Sequence, residues 1–552
     1  MDYEKLAELL FPNIDKTPED YERIFPPRDL PEGAQVTRLA PSPTGFIHLG
    51  NLYGAMVDER IAHQSGGVFY LRIEDTDAKR KVEGAVETII NVLRYFDIQF
   101  DQGAAIDTAE SNVYGPYFQS ERKDIYQAFV KDLVKKGLAY PCFCTEEELS
   151  KTHDEQVAQN VLTGYYGKWV RCRDLSFDRI KANIDAGMSY VVRLRSSGEE
   201  GRTIKFNDQI MGTLELPENI QDVVLLKSDG IPTYHFAHAI DDHLMRTTLV
   251  IRGGEWISTS PIHYELFHVL GFKMPKYAHT AHMMKFDEET GGKRKLSKRK
   301  DPELSLDFYR KDGYHPRCLK IYLLTLLNSN FEEWYQKHPG EDIDSFPFSV
   351  KKMSNSGALF DIAKLDNICR NEFSNLDVNE VYDFLYKWVE EYDSDKLNVY
   401  FANRDYMIRV LELCMGVGGK RRRKDFSYAR QIFEYLHYFF DETFRPDYTF
   451  RFDQNDVLAV LNQYLASYDH AADNNGWFEN LKNIADSCGF ASDMKAYKAD
   501  PEAFKGSVSD VAEMLRICVT GSANSPDLWT IQQILGEERT RARVQNAINR
   551  LK

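Results

Sequence analysis

The stretch Val36-Thr37-Arg38-Leu39-Ala40-Pro41-Ser42-Pro43-Thr44-Gly45-Phe46-Ile47-His48-Leu49-Gly50-Asn51 decides the fold. Val36 to Leu39 reads as a short buried strand. Leu52, Ala55, Met56 and Ile61 read as a helix stopped by Ser65-Gly66-Gly67, and Val68 to Ile73 reads as a second strand. Strand, helix, strand of this length predicts a parallel βαβ unit. In the turn between strand and helix, Pro41, Pro43 and Gly45 fix where Ser42, Thr44 and His48 point. Gly50 admits close approach of a ligand to the backbone. The helix beginning near Asn51 offers free N–H groups and a partial positive charge, a geometry suited to phosphates.

A second segment, Lys293-Arg294-Lys295-Leu296-Ser297-Lys298-Arg299-Lys300, follows the pair Gly291-Gly292. Six cations in eight residues ordinarily make a solvated loop. The Lys-apolar-Ser-Lys-Arg pattern beside two glycines predicts instead a hinged loop whose lysines follow phosphate charge through a reaction. A site needing both segments holds a triphosphate and stabilises the charge that develops when its α-phosphorus is attacked.

At 552 residues the chain exceeds a single core, and 43% hydrophobic with 28% charged residues describes an ordinary globular protein. No apolar run approaches a membrane span, and Met1-Asp2-Tyr3-Glu4-Lys5 lacks signal-peptide character, so a cytoplasmic location without membrane partners is expected. Eight scattered cysteines argue against a disulfide framework. The formal charge of −16 excludes indiscriminate coating of nucleic acid but leaves room for local basic faces such as Lys420 to Lys424.

Residues 1 to 34 open with a helical pattern at Leu6, Leu9 and Leu10, pass through several prolines, and are expected to be an extension packed on the body. From Gln35 to about 315 the strand and helix signals alternate, interrupted by a less regular insertion at about 115 to 222; Val223 to Leu226 then resumes an apolar run. Beyond Pro316 the pattern is helical to the end. The fold class expected is α/β: a Rossmann-type parallel sheet split by an α+β insertion, followed by all-helical domains.

Pro41-Ser42-Pro43-Thr44-Gly45-x-x-His48-x-Gly50 resembles the His-Ile-Gly-His signature, and Lys295-Leu-Ser-Lys298-Arg299 the Lys-Met-Ser-Lys-Ser signature, of class I aminoacyl-tRNA synthetases. Asn51 stands for the last histidine and Arg299 for the last serine. Arg72-Ile-Glu74-Asp75-Thr-Asp77, Gly115-Pro-Tyr-Phe-Gln-Ser-Glu-Arg122, Pro232-Thr-Tyr234-His235-Phe-Ala-His238, Asp241-Asp242-His243 and Ile251-Arg252-x-x-Glu255-Trp256 are similar to motifs of its glutamate branch. The resemblance covers nearly everything after residue 35.

That resemblance implies an ATP-dependent ligase that makes glutamyl-adenylate and transfers L-glutamate to the 3′ end of tRNA(Glu), with tRNA(Gln) a second candidate. Carried over by position, Arg38, Tyr234 and Arg252 hold the side-chain carboxylate, with Ala40 and His238 beside them; His238 stands where the family has asparagine. Ser42 and Glu74 hold the amino-acid end. Thr44, His48, Gly50, Asn51, Trp256 and Lys298 belong to ATP, and His48, Lys295 and Lys298 to catalysis. Asp75 and Asp77 are expected to serve structure. ATP arrives with Mg²⁺. Residues 316–395 are implied to contact the tRNA stem and 396–552 the anticodon; a monomer is the family default.

Cys142-x-Cys144 and Cys172 resemble the zinc module some bacterial members carry, with Asp174 at the usual position of a fourth, histidine ligand. Asp174, His153 or a tyrosine from Tyr165-Tyr166 is left to complete a tetrahedral site, against the alternative of three reduced cysteines. Against the glutamine-specific branch stand Ser42 and Thr44 where that branch has Glu and Asn, the arginine at 252, and the helical rather than β-barrel character of residues 316 to 552. Small adenylyltransferases share the nucleotide signatures but have no use for a helical half.

Overall fold

The βαβ unit forms where the apolar pattern places it. Strand β1 (Val36–Leu39), helix α3 (Leu49–Gln64) and strand β2 (Val68–Leu71) follow two N-terminal helices, α1 (Tyr3–Leu10) and α2 (Pro18–Ile24). β1 and β2 are parallel, with Arg38 opposite Tyr70. The computed structural model describes residues 1–43, 47–77, 82–104, 113–287 and 289–552. The chain divides into two compact units: Met1–Phe308 with Lys320–Asp361, and Tyr309–Leu319 with Ile362–Lys552.

In the first unit, helix α4 (Ala85–Tyr95) leads to β3 (Gln102–Gly103), which adds to β2 in parallel. Helix α5 (Lys123–Lys135) follows. β4 (Ala139–Cys142) opens the inserted segment, which continues through α6 (Glu146–Ala158), α7 (Phe177–Asp185), β5 (Val191–Leu194), β6 (Thr203–Asp208), β7 (Gly212–Pro217) and β8 (Val224–Leu226). The chain returns through α8 (Tyr234–Leu244), β9 (Leu249–Gly253), α9 (Ser260–Val269) and β10 (Lys276–Thr280). β9 runs beside β1, where Thr248 N–H donates to Val36 O at 2.9 Å, and pairs in parallel with β10. Buried side chains cover both faces of β1, as parallel strands require.

Two pairings differ from what the pattern suggests. β8 does not enter the main sheet but closes a separate β4-β5-β8 sheet by pairing antiparallel with β5. The hairpin β6–β7, drawn from the inserted segment, instead joins β10 and β9 in a sheet of order β7-β6-β10-β9. A strand of three to six residues carries no information about which sheet it joins; long-range packing decides.

The first helix packs on α5. Leu6, Ala7 and Leu10 of α1 are buried against α5, and Lys131 of α5 donates to Ile14 O and Glu8 Oε2, both at 2.8 Å. At the far end of the first unit, β11 (Met283–Phe286) and β12 (Lys293–Lys295) form an antiparallel hairpin, and β13 (Ala358–Leu359) adds to β11. Gly291, with φ +68°, lies in the turn of that hairpin.

The second unit is helical, from Ile362–Asn375 to Glu537–Leu551. Its helices carry their own stop and start signals: Asp377 makes a capping box, and Gly416, Gly489 and Gly521 close helices in the left-handed conformation. Arg543 of the last helix is buried and donates to Val519 O at 2.7 Å and Asp441 Oδ1 at 2.8 Å. Among the described residues no helix is long and apolar enough to cross a membrane.

Candidate active site

At the carboxyl ends of β1, β9 and β10 lies a cavity of about 710 Å³. That is the edge at which parallel α/β sheets receive ligands. Arg38, Ala40, Ser42, His48, Gly50, Asn51, Glu74, Tyr234, Arg252, Trp256 and Lys295 all line it, although they span 258 positions of sequence (295 less 38, counted inclusively). Thr44 lies outside the described residues. His238 and Lys298 do not line it.

The turn after β1 is shaped by local chemistry. His48 is the N-cap of α3, and its backbone N–H donates to Asn51 Oδ1 at 3.0 Å, so Asn51 completes a capping box. A Cβ on Gly50 would sit 3.0 Å from Nδ1 and Cε1 of His48. The glycine therefore lets the imidazole lie across the helix start. Burial lowers the His48 pKa and Lys295 acts in the same sense, while Glu255 opposes them.

Beneath the cavity sits a buried charge network. Arg72 donates to Asp242 Oδ1 at 2.6 Å and to Glu74 Oε1 at 3.1 Å; Arg38 Nε lies 3.4 Å from the same Asp242 oxygen. Asp241 takes Arg122 Nε at 2.7 Å and the Tyr126 hydroxyl at 2.8 Å. Tyr234, His238, Asp241 and Asp242 share one face of α8, at i, i+4, i+7 and i+8. Burial raises the Glu74 pKa while Arg72 and Arg38 oppose it. Asp75 accepts from Ser120 N and Oγ at 2.8 and 2.7 Å, a structural role as expected. Asp77, by contrast, is at the cavity.

Arg252 is arranged differently. It is buried on β9, directly opposite His279 on β10. Its Nε donates to His279 Nε2 at 2.9 Å, one terminal nitrogen lies 3.1 Å from His263 Nδ1, and the other donates to Trp256 O at 3.3 Å and Ser260 Oγ at 3.2 Å. Every partner is neutral. Among the described residues no carboxylate lies within 4 Å of this guanidinium. Burial, reinforced by Arg252, pushes His263 and His238 well below the ordinary imidazole pKa, and His235 to about 4.

His238 stands behind Tyr234, with ring centroids 5.9 Å apart, and its Nε2 is 2.9 Å from the Tyr277 hydroxyl. Trp256 packs on Tyr234 at 4.7 Å while still lining the cavity. The basic segment is partly stapled. Arg294 forks onto Asp301 at 2.6 and 2.7 Å, and Ser297 N–H donates to Asp301 Oδ2 at 2.8 Å; hydrogen bonding from Arg294 holds the Asp301 pKa at about 2. Lys298 is exposed in the turn beyond.

Asp208, His263, His279, Asp301 and the buried Asp58 at the cavity floor carry no motif and escape a reading by pattern. The one usable signal is position: His279 sits near the carboxyl end of a parallel strand.

In the inserted segment the Sγ atoms of Cys142, Cys144 and Cys172 all lie within 4.8 Å of one another. The Tyr165 hydroxyl is 3.5 Å from Cys142 Sγ and 3.3 Å from Cys144 Sγ. Asp174 instead faces Arg195 at 3.0 Å, His153 is exposed beside Asp154, and the Tyr166 hydroxyl donates to Leu162 O.

A parallel sheet with a helix N-terminus, a basic segment and a buried arginine at its carboxyl edge fits the class I tRNA synthetases. The family model for tRNA synthetases class I (E and Q), catalytic domain, matches residues 35–367, and an anticodon binding domain model matches residues 385–548. The chain belongs to the glutamate–tRNA ligases. It is 53% identical over 551 residues to that of Acetivibrio thermocellus, covering 99% of this chain and 100% of the relative, and 46% identical to that of Clostridium perfringens strain 13, covering 99% and 100%. The crystal structure of a glutamate tRNA ligase from Elizabethkingia meningosepticum in complex with its amino acid is similar at TM-score 0.75 and 26% identity, covering 94% of this chain and 100% of that one.

Proposed function

We propose that the chain ligates L-glutamate to the 3′ end of tRNA(Glu) in two steps. The α-carboxylate of glutamate attacks the α-phosphorus of ATP and pyrophosphate leaves. A terminal ribose hydroxyl then attacks the acyl carbon and AMP leaves. Positioning and electrostatics carry the first step, since the substrate supplies its own nucleophile.

One observation carries the reading of the substrate. Arg252 is a buried cation held only by neutral acceptors, while Arg38 and Arg72 share Asp242. A ligand carboxylate reaching Arg252, with Arg38 and Tyr234 beside it, supplies the missing charge through short, charge-assisted hydrogen bonds. Glutamine offers a neutral amide there and leaves the cation poorly paired, at a cost of about 2–5 kcal/mol. Ser42 and Glu74, which line the same cavity, would receive the amino-acid end. Thr44, His48, Gly50, Asn51, Lys295 and Lys298 would serve ATP, whose Mg²⁺ would be held mostly by phosphate oxygens and water, and Trp256 would serve the adenosine side. His238, one shell behind Tyr234, would act by holding that ring. Residues 316–395 would contact the tRNA stem and residues 396–552 the anticodon, in a monomer working in the cytoplasm.

The test is aminoacylation of purified tRNA(Glu) and tRNA(Gln), each with glutamate and with glutamine. Glutamate charging of tRNA(Glu) is expected, and glutamate charging of tRNA(Gln) would add that RNA as a second substrate. Charging with glutamine but not glutamate contradicts the reading.

The cysteine cluster supports a structural zinc site. Sulfur separations such as the 3.7 Å between Cys144 and Cys172 suit a tetrahedron of roughly 2.3 Å zinc–sulfur bonds, and the Tyr165 hydroxyl offers the fourth donor. Cys142, Cys144, Cys172 and Tyr165 would hold the ion, which would cross-link β4 to the loop before α7. Metal analysis of the purified protein should find one zinc per chain; clearly less rejects the site.

A further inference from the structure

We propose that Asp208 and His279 are positioning residues for the glutamate site, holding Arg252 from behind so that the hairpin β6–β7 governs discrimination between glutamate and glutamine. The inference rests on the reading of Arg252 as the partner of the substrate side chain.

A guanidinium has donors and no acceptor. His279 Nε2, 2.9 Å from Arg252 Nε, must therefore present a lone pair, and its proton resides on Nδ1. Nδ1 is 2.7 Å from Asp208 Oδ2. The carboxylate thus selects the tautomer that accepts from Arg252. Asp208 is itself fixed: Oδ1 accepts from Ile210 N at 2.9 Å and Met211 N at 2.8 Å, and Oδ2 accepts from His279 N at 3.0 Å. Burial works to raise its pKa, but the hydrogen bonds from His279, Met211 and Ile210 outweigh it and the group stays ionised.

The opposite edge of Arg252 repeats the device without a carboxylate. His263 Nδ1 accepts from the guanidinium, leaving Nε2–H to face His235 Nδ1 at 3.0 Å. Arg252 is thereby gripped on both edges by imidazole lone pairs, and its charge is left for a ligand. Neither Asp208 nor His279 lines the cavity. They act only through Arg252, and Asp208 reaches it from 44 residues earlier in the chain (252 less 208). A carboxylate touching Arg252 directly would neutralise it; one placed beyond an imidazole orients it while keeping its charge uncompensated.

Asp208→Asn keeps an oxygen for Ile210 and Met211 but turns an N–H toward His279. The histidine then accepts at Nδ1 and carries its proton on Nε2, where donor meets donor at Arg252. The expected result is a rise of about tenfold to a hundredfold in KM for glutamate, with kcat and the KM for ATP within about threefold of wild type. The preference for glutamate over glutamine should fall by a similar factor. His279→Leu should do the same, and His279→Gln, which can accept from Arg252 and donate to Asp208, should restore glutamate KM to within a few-fold.

An unchanged glutamate KM in Asp208→Asn, a parallel loss for ATP and glutamate without change in amino-acid preference, or failure of His279→Gln to outperform His279→Leu overturns the inference. Arg252→Gln, measured alongside, separates the two levels. If that variant loses saturation with glutamate while Asp208→Asn and His279→Leu do not, the positioning role fails and the site reading stands. If Arg252→Gln saturates normally, the site reading itself fails.

Discussion

Arg38, Arg72 and Arg252 show how one side chain takes different roles according to what neutralises it. The first two share Asp242 and contribute to a closed buried network; the third meets only neutral acceptors. The histidines around Arg252 must stay neutral for this to work, and that has a consequence for acid stability. His238 is driven well below the ordinary value of 6.5 by burial, then by Arg252, Arg38 and Arg72. The unfolded chain therefore binds this proton as the pH drops below about 6.5 while the folded chain does not, so this contribution is full above that pH and is lost below it. His238→Asn removes the term. Urea unfolding at pH 7.5 and 5.5 should show the stability difference moving toward the variant at the lower pH, by up to about 1.4 kcal/mol per pH unit below 6.5. The raised carboxyls of Asp58 and Glu74 act in the opposite sense but are present in both proteins. A difference independent of pH contradicts the neutral-histidine account. At this scale Arg38, Glu74, Tyr234 and Arg252 could be singled out because each sits in a short local motif, and all four line the cavity. Asp208, His263 and His279 were not, because their hydrogen-bond partners lie far away in sequence and no spacing marks them.

The basic segment illustrates what an element adds to a motif. Six cations on a loop suggested freely mobile charge, but Arg294 is committed to Asp301, which also takes Ser297 N–H. The staple fixes the base of the turn that carries Lys298, and leaves Lys295 at the cavity. Asp301→Asn weakens a forked ion pair whose carboxyl pKa is held at about 2, and should slow ATP–pyrophosphate exchange measured with tRNA by about tenfold, with glutamate KM little changed. Lys298→Ala, which removes the cation proposed to meet the phosphates, should slow exchange further, by about a hundredfold or more. Near-normal exchange in Lys298→Ala overturns the role of the segment. The βαβ unit was readable because its periodicity changes cleanly from strand to helix and back. The destinations of β8 and of the hairpin β6–β7 were not, since a short apolar run pairs equally well with either sheet until the rest of the chain is in place.

Across the whole molecule, a net charge of −16 confines any RNA-binding surface to local basic faces. The run Lys420 to Lys424 is only partly available: Arg423 pairs with Asp425 at 2.6 Å and Lys424 donates to Asn371 at 2.7 Å, while Arg421 and Arg422 are exposed. Sequence alone shows the cations but not which are already spent within the unit. Phosphate signatures serve many adenylating enzymes; in the reading proposed above it is Arg252, which meets only neutral acceptors, that selects a side-chain carboxylate. The most direct measurement is the ratio of kcat/KM for glutamate to that for glutamine, by ATP–pyrophosphate exchange with tRNA(Glu) present, in wild type and Arg252→Gln. The account predicts strong preference for glutamate in the wild type and a fall of about a hundredfold or more in that ratio in the variant, the scale expected from losing one buried charge pair. A ratio unchanged by Arg252→Gln would contradict it.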